Sequence, residues 1–153
     1  YNGDEFSRIS HSFISKYRQK WTTCSLQPNV IKILDFLNKL GLQQSVLSAG
    51  NQIDVNKFVN HFELDGYLSQ ILGTDNIKAE GKIQLGHKFF SASSLEAEQI
   101  LLVGDTLHDL EVGNHIGCRT LLYSKGHNSK LLISNNNANV IDDLMEIVEY
   151  LQH

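Results

Sequence analysis

Apolar residues recur every three or four positions in several stretches of this chain, and that spacing predicts amphipathic helices. The predicted helices are centred on residues 4–21, 30–40, 55–62, 83–90, 110–117 and 144–151. Between them lie short apolar runs bounded by glycine or polar residues, which is typical of buried strands. These runs are residues 45–48, 70–73, 100–103, 119–123 and 140–141. The alternation of helix and strand from residue 29 onward predicts an α/β fold, in which helices cover a parallel sheet on both faces.

The most informative polar residues follow the apolar run 100–103. Asp105 comes directly after Gly104, and Asp109 lies one helical turn further on, on the same face. Ligands of open α/β sheets bind beyond the carboxyl ends of strands, and carboxylate oxygens suit Mg²⁺. Alternatively, Asp105 and Thr106 cap the next helix, and Asp109 occupies its favourable first turn. This stretch alone leaves both interpretations open.

Two further candidates lie at a strand end and at a helix start. The predicted strand 45–48 leads into Ser48-Ala49-Gly50, where small residues let a backbone approach a ligand closely. Ser48 could bind an anion or could cap the following helix, and taken alone the capping interpretation is favoured. Lys82 begins a predicted helix, where the helix dipole disfavours a cation. That position indicates either a further role for Lys82 or a solvated side chain.

Composition narrows the class of protein. The chain has 153 residues, a net charge of −4 and no basic block, so nucleic acid is not an expected partner. No apolar run approaches the roughly 20 residues of a membrane span, and no signal-peptide pattern opens the chain. Cys24 and Cys118 lack metal-ligand spacing and are expected to be reduced thiols. These features predict a cytoplasmic protein of about one domain.

Three elements in order, Ser48-Ala49-Gly50, Gly81-Lys82 and Gly104-Asp105-x-x-x-Asp109, resemble the haloacid dehalogenase superfamily of hydrolases. The resemblance is greatest to the phosphoglycolate-phosphatase-type branch and covers residues 28–151. It implies a three-layer, doubly wound parallel sheet. Residues 28–153 would then be the hydrolase core and residues 1–27 the C-terminal part of a helical cap. The implied activity is a Mg²⁺-dependent phosphatase of small phosphorylated metabolites that forms a phosphoaspartyl intermediate.

The resemblance also implies roles for individual residues. Ser48, with Ala49 and Gly50, would bind the phosphoryl oxygens, and Lys82 would offset charge on the phosphate and the nucleophile. Asp105 would bind Mg²⁺, and Asp109 would hold the metal, its water or the lysine. Ser48, Lys82, Asp105 and Asp109 would thus form the catalytic set, and the two aspartates its metal-binding part.

One element of the family is missing. The motif Asp-x-Asp-x-Thr/Val, which supplies the nucleophile, does not occur ahead of Ser48, where Asp4 and Asp35 are the only aspartates. We therefore expect the chain to lack the family's first strand, between the Ser48 and Asp105 strands, and to be inactive alone. We then expect the chain to be unstable alone, to fill that position by domain swapping with a second copy, or to be accompanied by the missing N-terminal segment. The alternative is a non-catalytic module that binds Mg²⁺ or phosphate.

The histidines are weaker candidates. His127 lies in a loop beyond a predicted strand, where contact with substrate is an alternative to solvation. His108 lies beside Asp109 but off the face that Asp105 and Asp109 share, so we expect it to be solvated.

Overall fold

The protein is an α/β fold of parallel strands with helices on both faces. A computed structural model describes residue 12, residues 15–16, residues 18–74 and residues 80–151. Within this part the strands are β1 (Ser45–Asn51), β2 (Gln70–Thr74), β3 (Leu101–Gly104), β4 (Arg119–Tyr123) and β5 (Asn139–Ile141). The α-helices are α1 (Val30–Lys39), α2 (Gln52–His61), α3 (Glu80–Ala92), α4 (Leu107–Ile116), α5 (Lys130–Ser134) and α6 (Ile147–Tyr150). Short 3₁₀ turns lie at Trp21–Thr23, Asp65–Tyr67, Ala97–Gln99 and Leu144–Glu146.

The described strands form two parallel sheets. β1 pairs with β2, and β3, β4 and β5 pair in that order. Among the described strands, no hydrogen-bonded ladder joins β1 to β3. The parallel α/β fold is confirmed, and so is the expectation that the Ser48 and Asp105 strands are not neighbours.

Helix α3 connects the two sheets. It packs against β1 and β2 and also against α4, which lies on β3 and β4. The contact is close at Gly86, where an added Cβ would lie 3.1 Å from the Ile116 side chain and 3.4 Å from that of Leu47. Because α3 also carries Lys82, this packing determines which strand ends the lysine can reach.

A cluster of buried hydrophobic side chains lies between α1, the second sheet and α6. Its buried members are Ile33, Leu121, Tyr123, Ile141 and Ile147. Complete burial of an aliphatic side chain of this size contributes about 1.5–3 kcal/mol. This cluster therefore anchors β4, the strand next to β3, and so supports the residues that follow both strands.

Two elements differ from the sequence predictions. β1 continues to Asn51, and the Asn51 side chain accepts the Ile53 N–H at 3.0 Å to cap α2. The interpretation of Ser48 as the cap of this helix is therefore wrong. Helix α5 was not predicted, because its three consecutive apolar residues lack helical spacing and only Ile133 among them is buried.

The remaining predictions agree with the described residues or lie outside them. Gly41 and Gly117 have φ values of +75° and +82° and end their helices as left-handed residues. Residues 12, 15–16 and 18–20 are helical, Trp21 begins a 3₁₀ turn, and the rest of the predicted helix 4–21 lies outside the described residues. Cys24 and Cys118 are free thiols. No helix in the described ranges has both the length and the apolar character needed to cross a membrane.

Candidate active site

The turn from β3 into α4 is organised by a reciprocal cap. The Thr106 hydroxyl oxygen accepts the Asp109 N–H at 3.3 Å, and the Asp109 carboxylate accepts the Thr106 N–H at 2.9 Å. Thr106 and Asp109 therefore satisfy N–H groups at the start of α4. The capping interpretation is correct for these two residues. Asp105 is not part of the cap, so its side chain needs a separate explanation.

Asp109 also forms a nearly buried ion pair with Lys82. Its Oδ1 accepts a hydrogen bond from Lys82 Nζ, and the two side chains are 5% and 14% exposed, respectively. Its Oδ2 accepts the N–H groups of Asp105 and Thr106 and the Thr106 hydroxyl, at 2.7–3.0 Å. Both oxygens are thus committed to donors within the chain. Of the roles that the resemblance implied for Asp109, this geometry favours holding the lysine.

Opposing effects act on the ionisation of Asp109. Burial raises the pKa of this carboxyl, but the Lys82 ammonium and the hydrogen bonds from Thr106 and Asp105 more than offset burial. The net pKa of Asp109 lies below its usual range. Asp109 is therefore ionised at neutral pH and retains its attraction for Lys82.

The Asp105 side chain is one-third exposed and contacts the loop that follows β4. Its Oδ2 accepts the His127 N–H at 2.7 Å and lies 2.7 Å from His127 Nδ1. The Asn128 N–H donates to the Asp105 carbonyl at 3.3 Å, and Asn128 Oδ1 accepts the Leu107 N–H at 2.9 Å. This contact was not predicted from the sequence. The neighbouring positions of β3 and β4, with Gly104 opposite Leu122, explain it.

The donor set at Asp105 fits Mg²⁺. Asp105 Oδ1 accepts no hydrogen bond from any described residue, so it can take a cation. Within the described ranges, no three His, Cys, Asp or Glu side chains form a cluster that could enclose a metal. Mg²⁺ typically uses one or two protein carboxylates and keeps several waters, whereas structural Zn²⁺ needs four close ligands. A single available carboxylate oxygen suits Mg²⁺ and does not suit structural Zn²⁺.

Ser48 lies in the other sheet, on β1, and has few contacts. Its Oγ accepts the Gly50 N–H at 3.0 Å, and the carbonyls of Ala49 and Gly50 face the Thr74 hydroxyl at 3.0 and 3.3 Å. A cavity of about 270 Å³ opens beside Ser48. Apolar side chains of β1 and α2 form much of its wall, and an Arg18–Asp54 ion pair of 2.6 Å also lines it. Ser48 is therefore held by fewer groups than Asp105, and among the described residues no hydrogen bond joins it to Lys82, Asp105 or Asp109.

His108 pairs within α4. Its Nδ1 is 3.0 Å from Glu111 Oε2, one turn further along the helix. The His108 side chain is 27% exposed, so it is half-buried rather than fully solvated as expected.

The sequence profile of the haloacid dehalogenase-like hydrolases matches residues 3–123, which is most of the chain. The chain belongs to this family. The resemblance drawn from the Ser48, Lys82 and Asp105 elements is thereby confirmed.

Curated relatives point to one branch of the haloacid dehalogenase-like family. A phosphoglycolate phosphatase of Pseudomonas savastanoi pv. phaseolicola is 26% identical over 139 residues, covering 89% of this chain and 51% of the relative. A phosphoglycolate phosphatase of Haemophilus influenzae is 26% identical over 154 residues, covering 96% of this chain and 67% of the relative. The chain thus spans about half the length of the first of these relatives.

Solved structures confirm the fold. A haloacid dehalogenase-like family hydrolase from Streptococcus pneumoniae superposes with a TM-score of 0.86 at 19% identity, covering 99% of this chain and 72% of that chain. A predicted phosphoglycolate phosphatase from Haemophilus somnus gives 0.77 at 25% identity, with coverages of 99% and 68%. Both likenesses extend over nearly the whole of this chain.

Proposed function

We propose that this chain provides the phosphate- and Mg²⁺-binding part of a phosphatase that acts on small phosphorylated metabolites. The observation that carries the proposal is the arrangement at the end of β3. There Asp109 holds the ammonium of Lys82, and Asp105 keeps one carboxylate oxygen available. The phosphoglycolate phosphatases among the relatives support a small phosphorylated acid as substrate.

The chemistry of phosphoryl transfer assigns a role to each residue. This reaction needs mainly positioning and positive charge around the transferred phosphoryl oxygens. Lys82 supplies a fixed positive charge, because its ion pair with the nearly buried Asp109 restricts its movement. The Ser48 hydroxyl can donate to a phosphoryl oxygen, since among the described residues it takes part in one hydrogen bond, in which its oxygen accepts the Gly50 N–H. Asp105 would hold Mg²⁺, which when bound would neutralise charge on the phosphate.

We propose neither of the aspartates ahead of Ser48 as the nucleophile. Asp35 lies on α1, exposed and paired with Lys39 at 2.6 Å, and Asp4 lies outside the described residues. We propose that an aspartate on another segment forms the phosphoaspartyl intermediate. That segment, from the same protein or from a second copy, would pair with β1 and β3, each of which ends a sheet among the described strands.

The cavity beside Ser48 is suited to the part of the substrate that carries the phosphate. Arg18 and Trp21, from the region that the resemblance assigned to the cap, line it together with Phe58 of α2. Substrate selection by these side chains would follow from their position next to the phosphate-binding serine.

Binding of Mg²⁺ and inorganic phosphate to the purified 153-residue chain, measured by calorimetry or NMR, tests the proposed site. Asp105→Ala should abolish Mg²⁺ binding, with the exposed Asp35→Ala as its matched control. Ser48→Ala should weaken phosphate binding by about tenfold, the usual contribution of a hydrogen bond to a charged group. Ser69→Ala, beside the opposite end of β1, should leave phosphate binding unchanged. Equal Mg²⁺ affinity in the wild type and Asp105→Ala would refute the metal assignment.

Turnover of an aryl phosphate tests the assignment of the nucleophile. We expect no hydrolysis by the 153-residue chain with Mg²⁺, because covalent catalysis needs a nucleophile in line with the leaving oxygen. Metal-dependent hydrolysis that Asp105→Ala abolishes, by a chain of verified mass, would show that the nucleophile lies within these residues.

A further inference from the structure

The loop from Ser124 to Ser129 is attached to the Asp105 turn by contacts that the proposed roles do not require. Asp105 Oδ2 receives the His127 N–H and lies against His127 Nδ1, both at 2.7 Å. Asn128 bonds the Asp105 carbonyl through its N–H at 3.3 Å and the Leu107 N–H through its side chain at 2.9 Å. The loop thus touches the backbone and the side chain of the same aspartate.

Gly126 makes this attachment possible. A Cβ at that position would overlap the Cβ and the carboxyl group of Asp105. The loop backbone therefore lies against the side chain of Asp105 at a distance that only glycine allows. Such an approach limits the rotation of the Asp105 side chain.

Stability does not account for the His127 contact. The His127 side chain is 89% exposed, and exposed ion pairs contribute little to the free energy of unfolding. The choice of carboxylate oxygen in this contact is more informative than its contribution to stability. Both donors from His127 meet Oδ2, so Oδ1 remains as the oxygen available to a ligand. When Asp105 is ionised its carboxylate can only accept, and His127 Nδ1 is then the donor.

We propose that Gly126, His127 and Asn128 are positioning residues that hold Asp105 with Oδ1 directed toward a bound divalent cation. This inference rests on the proposed function, since it assumes that Asp105 binds the metal. Groups that hydrogen-bond a metal-ligating carboxylate orient it, and their loss typically costs 10–100-fold in metal affinity. The loop would raise metal affinity without contacting the metal.

Mg²⁺ titration of the 153-residue chain, followed by calorimetry or NMR, tests this role. His127→Ala removes one of the two donors and should weaken Mg²⁺ binding about tenfold. His127→Asn, which keeps a side-chain donor, should restore most of the affinity. Gly126→Ala should weaken Mg²⁺ binding by up to about 100-fold, because the added Cβ displaces the loop. His115 is an exposed histidine on α4, and His115→Ala is the matched control that should leave the Mg²⁺ affinity unchanged.

Two further measurements separate positioning from a general loss of structure. Phosphate affinity, which depends on Ser48 and Lys82, should stay within about twofold of the wild type in His127→Ala. The urea unfolding midpoint of His127→Ala should also stay close to that of the wild type, as expected for an exposed pair. If Gly126→Ala does not fold, Asn128→Ala supplies a second test, since it releases the loop from Leu107 without adding bulk.

The outcomes distinguish this inference from the proposed function. If Asp105→Ala abolishes Mg²⁺ binding while His127→Ala and Asn128→Ala bind as tightly as the wild type, the positioning role is refuted and the metal site stands. If His127→Ala binds Mg²⁺ more tightly, His127 competes with the cation for Asp105, and the positioning role is again refuted. If Asp105→Ala leaves Mg²⁺ binding unchanged, both proposals fail.

Discussion

The candidate site residues lie in two places, beyond the end of β3 and within β1, and the two places differ in how many groups hold the side chains. Beyond β3, Asp109 accepts hydrogen bonds on both oxygens, and Asp105 is held by the loop that contains His127. On β1, the Gly50 N–H is the only donor to the Ser48 oxygen within the described ranges, and the Ser48 side chain borders an open cavity. The charged half of the site is assembled by the fold, whereas the serine half is left accessible.

The difference follows from the neighbours of each strand. β3 has β4 beside it, and the residues after β4 reach Asp105, while α3 brings Lys82 to Asp109. β1 has β2 as its only partner among the described strands. Charged groups in a low-dielectric site must be fixed in advance to stabilise a developing charge, and a hydroxyl that serves one phosphate oxygen needs less support. The comparison predicts that substitutions at the β3 end cost more stability than matched substitutions elsewhere.

The largest effect is expected from Lys82→Ala. This change leaves the nearly buried Asp109 carboxylate without its counter-ion, which typically costs about 3–5 kcal/mol in the free energy of unfolding. Urea denaturation measures the loss. Lys39→Ala, which breaks the exposed pair with Asp35, should leave the unfolding midpoint unchanged. If Lys82→Ala and Lys39→Ala had similar urea unfolding midpoints, the nearly buried pair would contribute no more to stability than the exposed pair.

A smaller effect is expected from alanine at Gly104. A Cβ there would overlap the Asp109 side chain, so we expect a loss of about 1–3 kcal/mol, as for other overpacked positions. At Gly50 on β1, the nearest atoms to an added Cβ are the Ser48 oxygen and a Val55 methyl, at 3.2 and 3.3 Å. Gly50→Ala should therefore be the milder change. Thermal or urea unfolding of both variants measures the two losses of stability. A greater loss in Gly50→Ala than in Gly104→Ala would contradict the prediction.

The smallest effect is expected in the pH dependence of stability. The pKa of Asp109 is lower in the folded protein than its ordinary value of 3.8. Between the lower folded pKa and pH 3.8, the unfolded chain therefore binds more protons than the folded chain. The free energy of unfolding consequently rises with pH. The contribution of Asp109 is complete above pH 3.8 and is lost as the pH falls through the lower folded pKa.

Urea denaturation between about pH 2 and pH 5 measures this dependence. The slope of unfolding free energy against pH should be shallower in Asp109→Asn than in the wild type. Other carboxyls with lowered pKa values, those of Asp142 and Asp143, remain in both proteins and cancel in the difference. Equal slopes would mean that Lys82 does not stabilise the ionised form of Asp109.

The local sequence determined the elements and several of their ends. Helical spacing and the glycines at 41 and 117 placed helices α1 and α4, because a helix boundary depends on residues within one turn. The order of Ser48, Lys82 and the Gly-Asp-x-x-x-Asp element was enough to indicate the family, which the match over residues 3–123 confirmed. Thr106 was one of two residues that the sequence offered as caps of α4, whereas the part that Asp109 plays in that cap was not predicted.

Tertiary structure decided which polar groups meet. Lys82 and Asp109 are 27 positions apart, and Asp105 and His127 are 22 apart. Neither pair has a local sequence signal, because each depends on which strands are neighbours and on how α3 packs against them. The same packing separates β1 from β3, and the length of β1 transfers the cap of α2 from Ser48 to Asn51. Local spacing thus identified the candidate residues, and the partner that each one holds was set by packing over long distances along the chain.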